Sequence, residues 1–128
     1  MDEVRLHRPE PGADTFIPKR YEFRVDGRRL VVPVEPELVV GRRKPDDPDD
    51  DVTVDLTRFG AANLGVSRRH SSILIEAGDV FLVDLNSTNG TRLNGKAARP
   101  GQPYRLRDGD EIEFAQLRCV IRLLDASR

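Results

Sequence analysis

The chain has no tryptophan, one cysteine, one methionine and two histidines in 128 residues. A lone cysteine excludes an intrachain disulfide, and the apolar stretch around Cys119 is the setting of a buried, inert thiol in a reducing compartment. With only His7, His70 and Cys119 as soft ligands, scattered along the chain, a structural zinc site is not expected. No cofactor is expected either. Charge of one sign is also lacking: 21 basic and 22 acidic side chains leave a formal charge of -1. Such a balance gives no global attraction to nucleic acid or to a membrane, so any anion site must be local. No apolar run approaches the ~20 residues that span a bilayer. The opening segment MDEVRLHRPEPGADTF carries acids and prolines where a secretory leader would be apolar. A cytoplasmic location is therefore expected, and the formal sequon Asn86-Ser87-Thr88 has no chemical consequence.

Lysine is scarce as well. Only Lys19, Lys44 and Lys96 occur, so the other eighteen basic residues are arginines. The arginine fork suits planar recognition of phosphate, although genome composition produces the same bias. The length fits one domain, and 38% hydrophobic with 34% charged residues describes a soluble globular chain.

Residues 1–19 are polar and broken by Pro9, Pro11 and Pro18, the pattern of a flexible N-terminal arm ahead of a domain over 20–128. Tyr21, Phe23 and Val25 alternate with polar neighbours, Asp26-Gly27 marks a tight turn, and Leu30, Val32 and Val34 alternate again, predicting a hairpin with one wet face. Leu38–Val40 is a short apolar run that ends at Gly41-Arg42. The charged stretch from Arg43 to Asp51, with Pro45 and Pro48, is predicted to be a solvated loop. Val52–Leu56 reads as a brief strand, residues 57–66 as irregular, and Ser72–Glu76 and Val80–Leu85 as a strand pair. Asn89-Gly90 and Asn94-Gly95 mark turns around Thr91–Leu93, and Asp108-Gly109 precedes the closing strands around Ile112–Phe114 and Arg118–Leu124. No segment has helical periodicity over a useful length, so the prediction is a single all-β sandwich with its function in loops at one end.

Four motifs follow one another along the chain. They are Gly41-Arg42; Ser67-Arg68-Arg69-His70; Ser87-Thr88-Asn89-Gly90-Thr91; and Asp108-Gly109-Asp110 before an alternating strand. Jointly they resemble the forkhead-associated (FHA) family over residues 38–124. The resemblance implies an FHA/SMAD-like β-sandwich of two twisted antiparallel or mixed sheets with about eleven short strands. It also implies a binding module, not an enzyme, that recognises phosphothreonine in a partner protein, such as a Ser/Thr kinase or its substrates. By that resemblance Arg42, Ser67 and Arg68 hold the phosphate, Thr88 lines the adjacent pocket, and Asn89 bonds the peptide backbone. Gly41, His70 and Gly90 support the site. A phosphothreonine carries about -1.5 to -2 charge and three acceptor oxygens, so charged forks and hydroxyls are the residue types such a receptor needs. A monomer is expected, with no nucleic-acid or membrane partner.

Each feature also has a plainer reading. Arg42 alone is an ordinary strand-end arginine, and Ser67 a turn cap. Ser67 with His70 invites a nucleophile and base, but Gly65-Val66-Ser67-Arg68-Arg69 fails the Gly-x-Ser-x-Gly elbow, and hydrolase chemistry is not expected. Asn94-Gly95 reads as purely a turn, and Gly90 as having only a turn's job. Asp46, Asp47, Asp49, Asp50 and Asp51 are interrupted by Pro48 and lack the bend glycine and terminal glutamate of an EF-hand. They are read as a solvated rim that biases partner choice, and this long insertion is the chain's departure from the family pattern. Two further readings stay open: a phosphate-independent interaction scaffold on the same fold, and a phosphorylated Thr15 that competes for the chain's own site.

Overall fold

The computed structural model describes residues 17–125. Most of the expected arm, including Thr15, lies outside the described residues. Eleven strands follow: β1 (Arg20–Val25), β2 (Arg28–Pro33), β3 (Glu37–Gly41), β4 (Val52–Asp55), β5 (Arg69–Glu76), β6 (Asp79–Asp84), β7 (Thr91–Leu93), β8 (Lys96–Ala97), β9 (Tyr104–Arg105), β10 (Glu111–Phe114) and β11 (Leu117–Leu124). They form a six-stranded sheet ordered β2-β1-β11-β10-β7-β8 and a five-stranded sheet ordered β4-β3-β5-β6-β9. All the strand pairs are antiparallel except β3 with β4, so the second sheet is mixed. A single 3-10 turn, Thr57–Phe59, interrupts the stretch expected to be irregular.

The period-2 pattern explains the layering. Tyr21, Phe23 and Val25 of β1 and Ile112 and Phe114 of β10 meet Leu38, Val40, Ile73 and Leu82 from the other sheet in one core. Asp26 and Gly27 both take positive φ, at 50° and 77°, which matches the twist of the β1–β2 hairpin they join. Cys119 is in the core, and burial pushes its thiol up to about 12.

One expectation fails on the outer face of the first sheet. Glu22, placed by alternation on the wet side, is only 3% exposed. Arg24 and Arg29 cover it, with contacts of 2.9 and 2.5 Å to its carboxylate. Burial raises the acid's pKa, but the two guanidiniums outweigh it and hold the group below the usual range.

The two ends of the sandwich differ. At one end the ends of β3 and β4, the start of β5, the β6–β7 connection, the β10–β11 turn and the tip of the β1–β2 hairpin come together. Gly41 pairs with Asp55, Gln116 N–H donates to Leu64 O, Ala115 N–H donates to Gly90 O, and Arg24 beside the hairpin tip pairs with Val120. At the other end the first and last strands leave side by side, with Arg20 opposite Leu124 and Lys19 N–H donating to Leu124 O at 2.8 Å.

Candidate functional site

The loop end is shaped by one irregularity. Val40 pairs with Ser71 but Gly41 pairs with Arg69, so His70 is an extra residue in β5. A bulge of this kind re-aims a side chain, and His70 and Ser71 are both fully buried. The crossing is so close that a Cβ on Gly41 would lie 1.8 Å from the Arg68 carbonyl oxygen. Only glycine fits there, and the next residue, Arg42, uses its backbone N–H to donate to that same oxygen at 3.0 Å. Arg42 is then fixed a second time, by Nε donating to Val66 O at 2.7 Å. Its terminal Nη groups make no hydrogen bond among the described residues.

His70 ties three loops together. Its Nδ1 accepts the Ser67 backbone N–H at 3.0 Å, and its Nε2 lies 2.8 Å from Gly90 O. A carbonyl can only accept, so the ring is the neutral tautomer with hydrogen on Nε2. Burial lowers its pKa, opposed by the Gly90 bond and by Asp84. The edge-on Phe114 ring, 5.8 Å away, completes the enclosure. Both imidazole nitrogens are engaged with backbone, so Ser67 and His70 do not form a nucleophile and base.

The Ser67 hydroxyl oxygen accepts the Thr88 backbone N–H at 3.0 Å, which orients it and leaves its proton to donate elsewhere. Asn89 Nδ2 donates to Gly65 O at 3.0 Å, so its amide oxygen stays available. Gly65 has φ 84°, and a Cβ there would come within 2.7 Å of that same Nδ2. Arg68 is exposed and has no carboxylate partner among the described residues. Arg42, Ser67, Arg68, Thr88 and Asn89 therefore converge on one rim, with Gly41, His70 and Gly90 beneath.

The support for Thr88 and Asn89 was not legible in advance. Asp84, only 2% exposed, accepts from Ser87 Oγ at 2.6 Å, from Ser87 N–H at 3.1 Å and from Thr91 Oγ1 at 2.5 Å. The Ser71 hydroxyl then donates to Thr91 Oγ1 across 2.9 Å, since the threonine proton is already committed. Burial raises the Asp84 pKa, but the donors outweigh it and keep the carboxyl below its usual range. Ser87 Oγ also accepts the Gly90 N–H. Gly90 is therefore more than a turn residue, because its carbonyl takes both His70 and Ala115. Its partner in the expected turn, Asn89, has no positive φ; Asn86 takes one instead, at 61°. Likewise Asn94 is more than a turn, since its amide bonds Asp110 and the Glu111 N–H. An Asp-x-x-Ser spacing ahead of a Thr at the next strand was the available signal.

The acidic insertion is not merely solvated. Asp50 caps the N–H groups of Lys44 and Val52, Asp47 caps Asp49, and Asp51 takes a two-pronged grip from Arg69 at 2.9 and 3.0 Å. Asp55 accepts the Arg43 N–H and both donors of Thr57. These carboxylates build the loop before they could act on a ligand.

The family pattern for the FHA domain matches residues 38–115, which contain every one of these contacts. The chain belongs to the FHA family. This FHA domain is 39% identical to the FHA domain-containing protein FhaA of Mycobacterium tuberculosis over 66 residues, which is 52% of this chain and 12% of FhaA. It is 33% identical to the glycogen accumulation regulator GarA of Mycolicibacterium smegmatis over 86 residues, or 67% of this chain and 46% of GarA. The FHA domain thus spans less than half the length of either relative. Among solved structures, one from a structural and functional analysis of phosphothreonine-dependent FHA domain interactions has a TM-score of 0.59 and 31% identity. That likeness covers 80% of this chain and 95% of the other. Among the described residues no helix is long and apolar enough to cross a membrane.

Proposed function

We propose that this FHA domain, over residues 20–128, binds phosphothreonine segments of partner proteins and serves as an adaptor in Ser/Thr kinase signalling. The observation that carries the reading is the state of the donors at the loop rim. The Arg42 terminal nitrogens, the Arg68 fork and the Ser67 hydroxyl proton all lack a protein acceptor among the described residues. A phosphate ester with three acceptor oxygens satisfies such a set. In this reading Arg42, Ser67 and Arg68 hold the phosphate, Thr88 borders the threonine methyl, and Asn89 meets the peptide backbone. The likeness to a solved FHA domain from a study of phosphothreonine-dependent interactions supports the phosphothreonine reading.

Calorimetry with one threonine peptide and its phosphorylated twin tests it. Affinity of order micromolar is expected for the phosphorylated form, because three or four charge-assisted bonds of roughly 1.5–3 kcal/mol each must offset several kcal/mol of association cost. Arg42→Ala should weaken that binding by about 2–4 kcal/mol, roughly thirty- to a thousandfold. Equal affinity for the two peptides would instead favour a phosphate-independent scaffold.

A further inference from the structure

Several exposed arginines of the two sheets are matched with acids. Arg24 and Arg29 meet Glu22, Arg92 and Arg118 meet Glu113, Arg105 meets Asp79, and Arg122 meets Asp108. Arg28 and Arg58, at the loop end with Arg42, Arg43 and Arg68, are not among these pairs and have no carboxylate partner among the described residues.

Arg28 follows the tip of the β1–β2 hairpin, and Arg58 lies in the 3-10 turn after β4. Their guanidinium carbons stand 4.7 and 4.8 Å from the centre of one ring, Phe59. The ring is 6% exposed and packs into the core, so its position is fixed from beneath. Each arginine is also held by the other's loop: Arg28 Nη2 donates to Arg58 O at 3.3 Å, and Arg58 Nη2 donates to Arg29 O at 3.1 Å. Each charge is thus held by the ring quadrupole and by one backbone acceptor from the other's loop. Each fork keeps further N–H donors unused. The 3-10 turn is tied to the phosphate rim, because Leu56 N–H donates to Gly41 O at 2.8 Å, immediately before Arg42.

We propose that Arg28 and Arg58 form a second anion subsite, which takes an acidic or second phosphorylated side chain from the same partner segment. The inference rests on the phosphothreonine reading for its anchor. It makes the preferred partner a phosphothreonine segment with another negative group at a fixed spacing, as the rigid mounting of the two forks requires. Covering Phe59 alone would not call for a pair of unmatched cations, since any long apolar stem would do it.

The test uses fluorescence anisotropy with a phosphothreonine peptide whose other residues are uncharged, and a series in which one phosphoserine is moved through the flanking positions on both sides. One spacing should tighten binding by about three- to tenfold over the parent peptide. The gain should vanish in Arg28→Gln/Arg58→Gln while the parent peptide keeps its affinity within about twofold, which also shows that the variant is folded. No gain at any spacing, or a gain that survives the double substitution, overturns the subsite. Nε–Hε NMR signals of Arg28 and Arg58, followed during titration with an unphosphorylated poly-glutamate peptide, separate this from failure of the anchor. Shifts at both signals support the subsite even if the parent peptide does not bind, and unmoved signals reject it.

Discussion

A single imidazole decides how the loop end responds to acid. His70 accepts at Nδ1, so protonation there replaces an attraction to the Ser67 N–H with a clash of two donors. Its pKa in the folded chain is lowered by burial, whereas the unfolded chain titrates near 6.5. Protons therefore favour the unfolded state. The stabilisation is complete above about pH 6.5 and is lost as pH falls through the lower folded value. Thermal midpoints of the peptide-free protein should decline from pH 7 to 5, and His70→Gln should flatten that decline; an equally steep slope in the variant would exclude this group. Asp84 acts in a separate window. Its lowered pKa gives stability that is present above the ordinary carboxylate range and lost only as pH falls below about 4. Truncation of His70 to Ala should cost about 2–4 kcal/mol, from the orphaned Ser67 donor and the space left beside Phe114. Urea denaturation measures it.

Strand crossings and loops carry the next level of control. The β3–β5 crossing tolerates no side chain at Gly41, so Gly41→Ala must push β3 away from the Arg68 carbonyl and move Arg42 with it. A loss of roughly 3 kcal/mol or more in stability, together with loss of phosphopeptide binding, is expected by denaturation and calorimetry. The insertion behaves differently. Asp51 and Arg69 are both about half exposed, so Asp51→Asn should cost less than about 1 kcal/mol. Hydrogen exchange should nonetheless speed up at the Lys44 and Val52 amides, and unchanged protection would show that the fork does not hold the loop. Five of the eleven strands are legible from local pattern alone, because turn dipeptides and alternation bracket β1, β2, β7, β10 and β11. The ordered motifs likewise named the rim residues. Register was not readable, and so neither was the bulge that turns His70 inward, nor the parallel β3–β4 pairing. Asp84 and Glu22 are illegible for a related reason: a carboxylate in a strand looks solvated until the donors that fold over it are known.

At the scale of the molecule, one core joins the two sheets, and the thiol of Cys119 reports on it. The side chain is 1% exposed, and burial raises its pKa to about 12. Alkylation by a maleimide should therefore proceed only through global opening, at a rate that matches the slowest amide exchange. Reaction of the native protein as fast as a free thiol would mean that the core opens locally. Lys19 and Leu124 depart as neighbours, on the side facing away from the ligand loops. Both ends of the described sandwich therefore lie opposite the rim that carries Arg42 and Ser67. A circular permutant that splices those neighbours through a short bridge and reopens at Ala77-Gly78 should keep its grip on peptide.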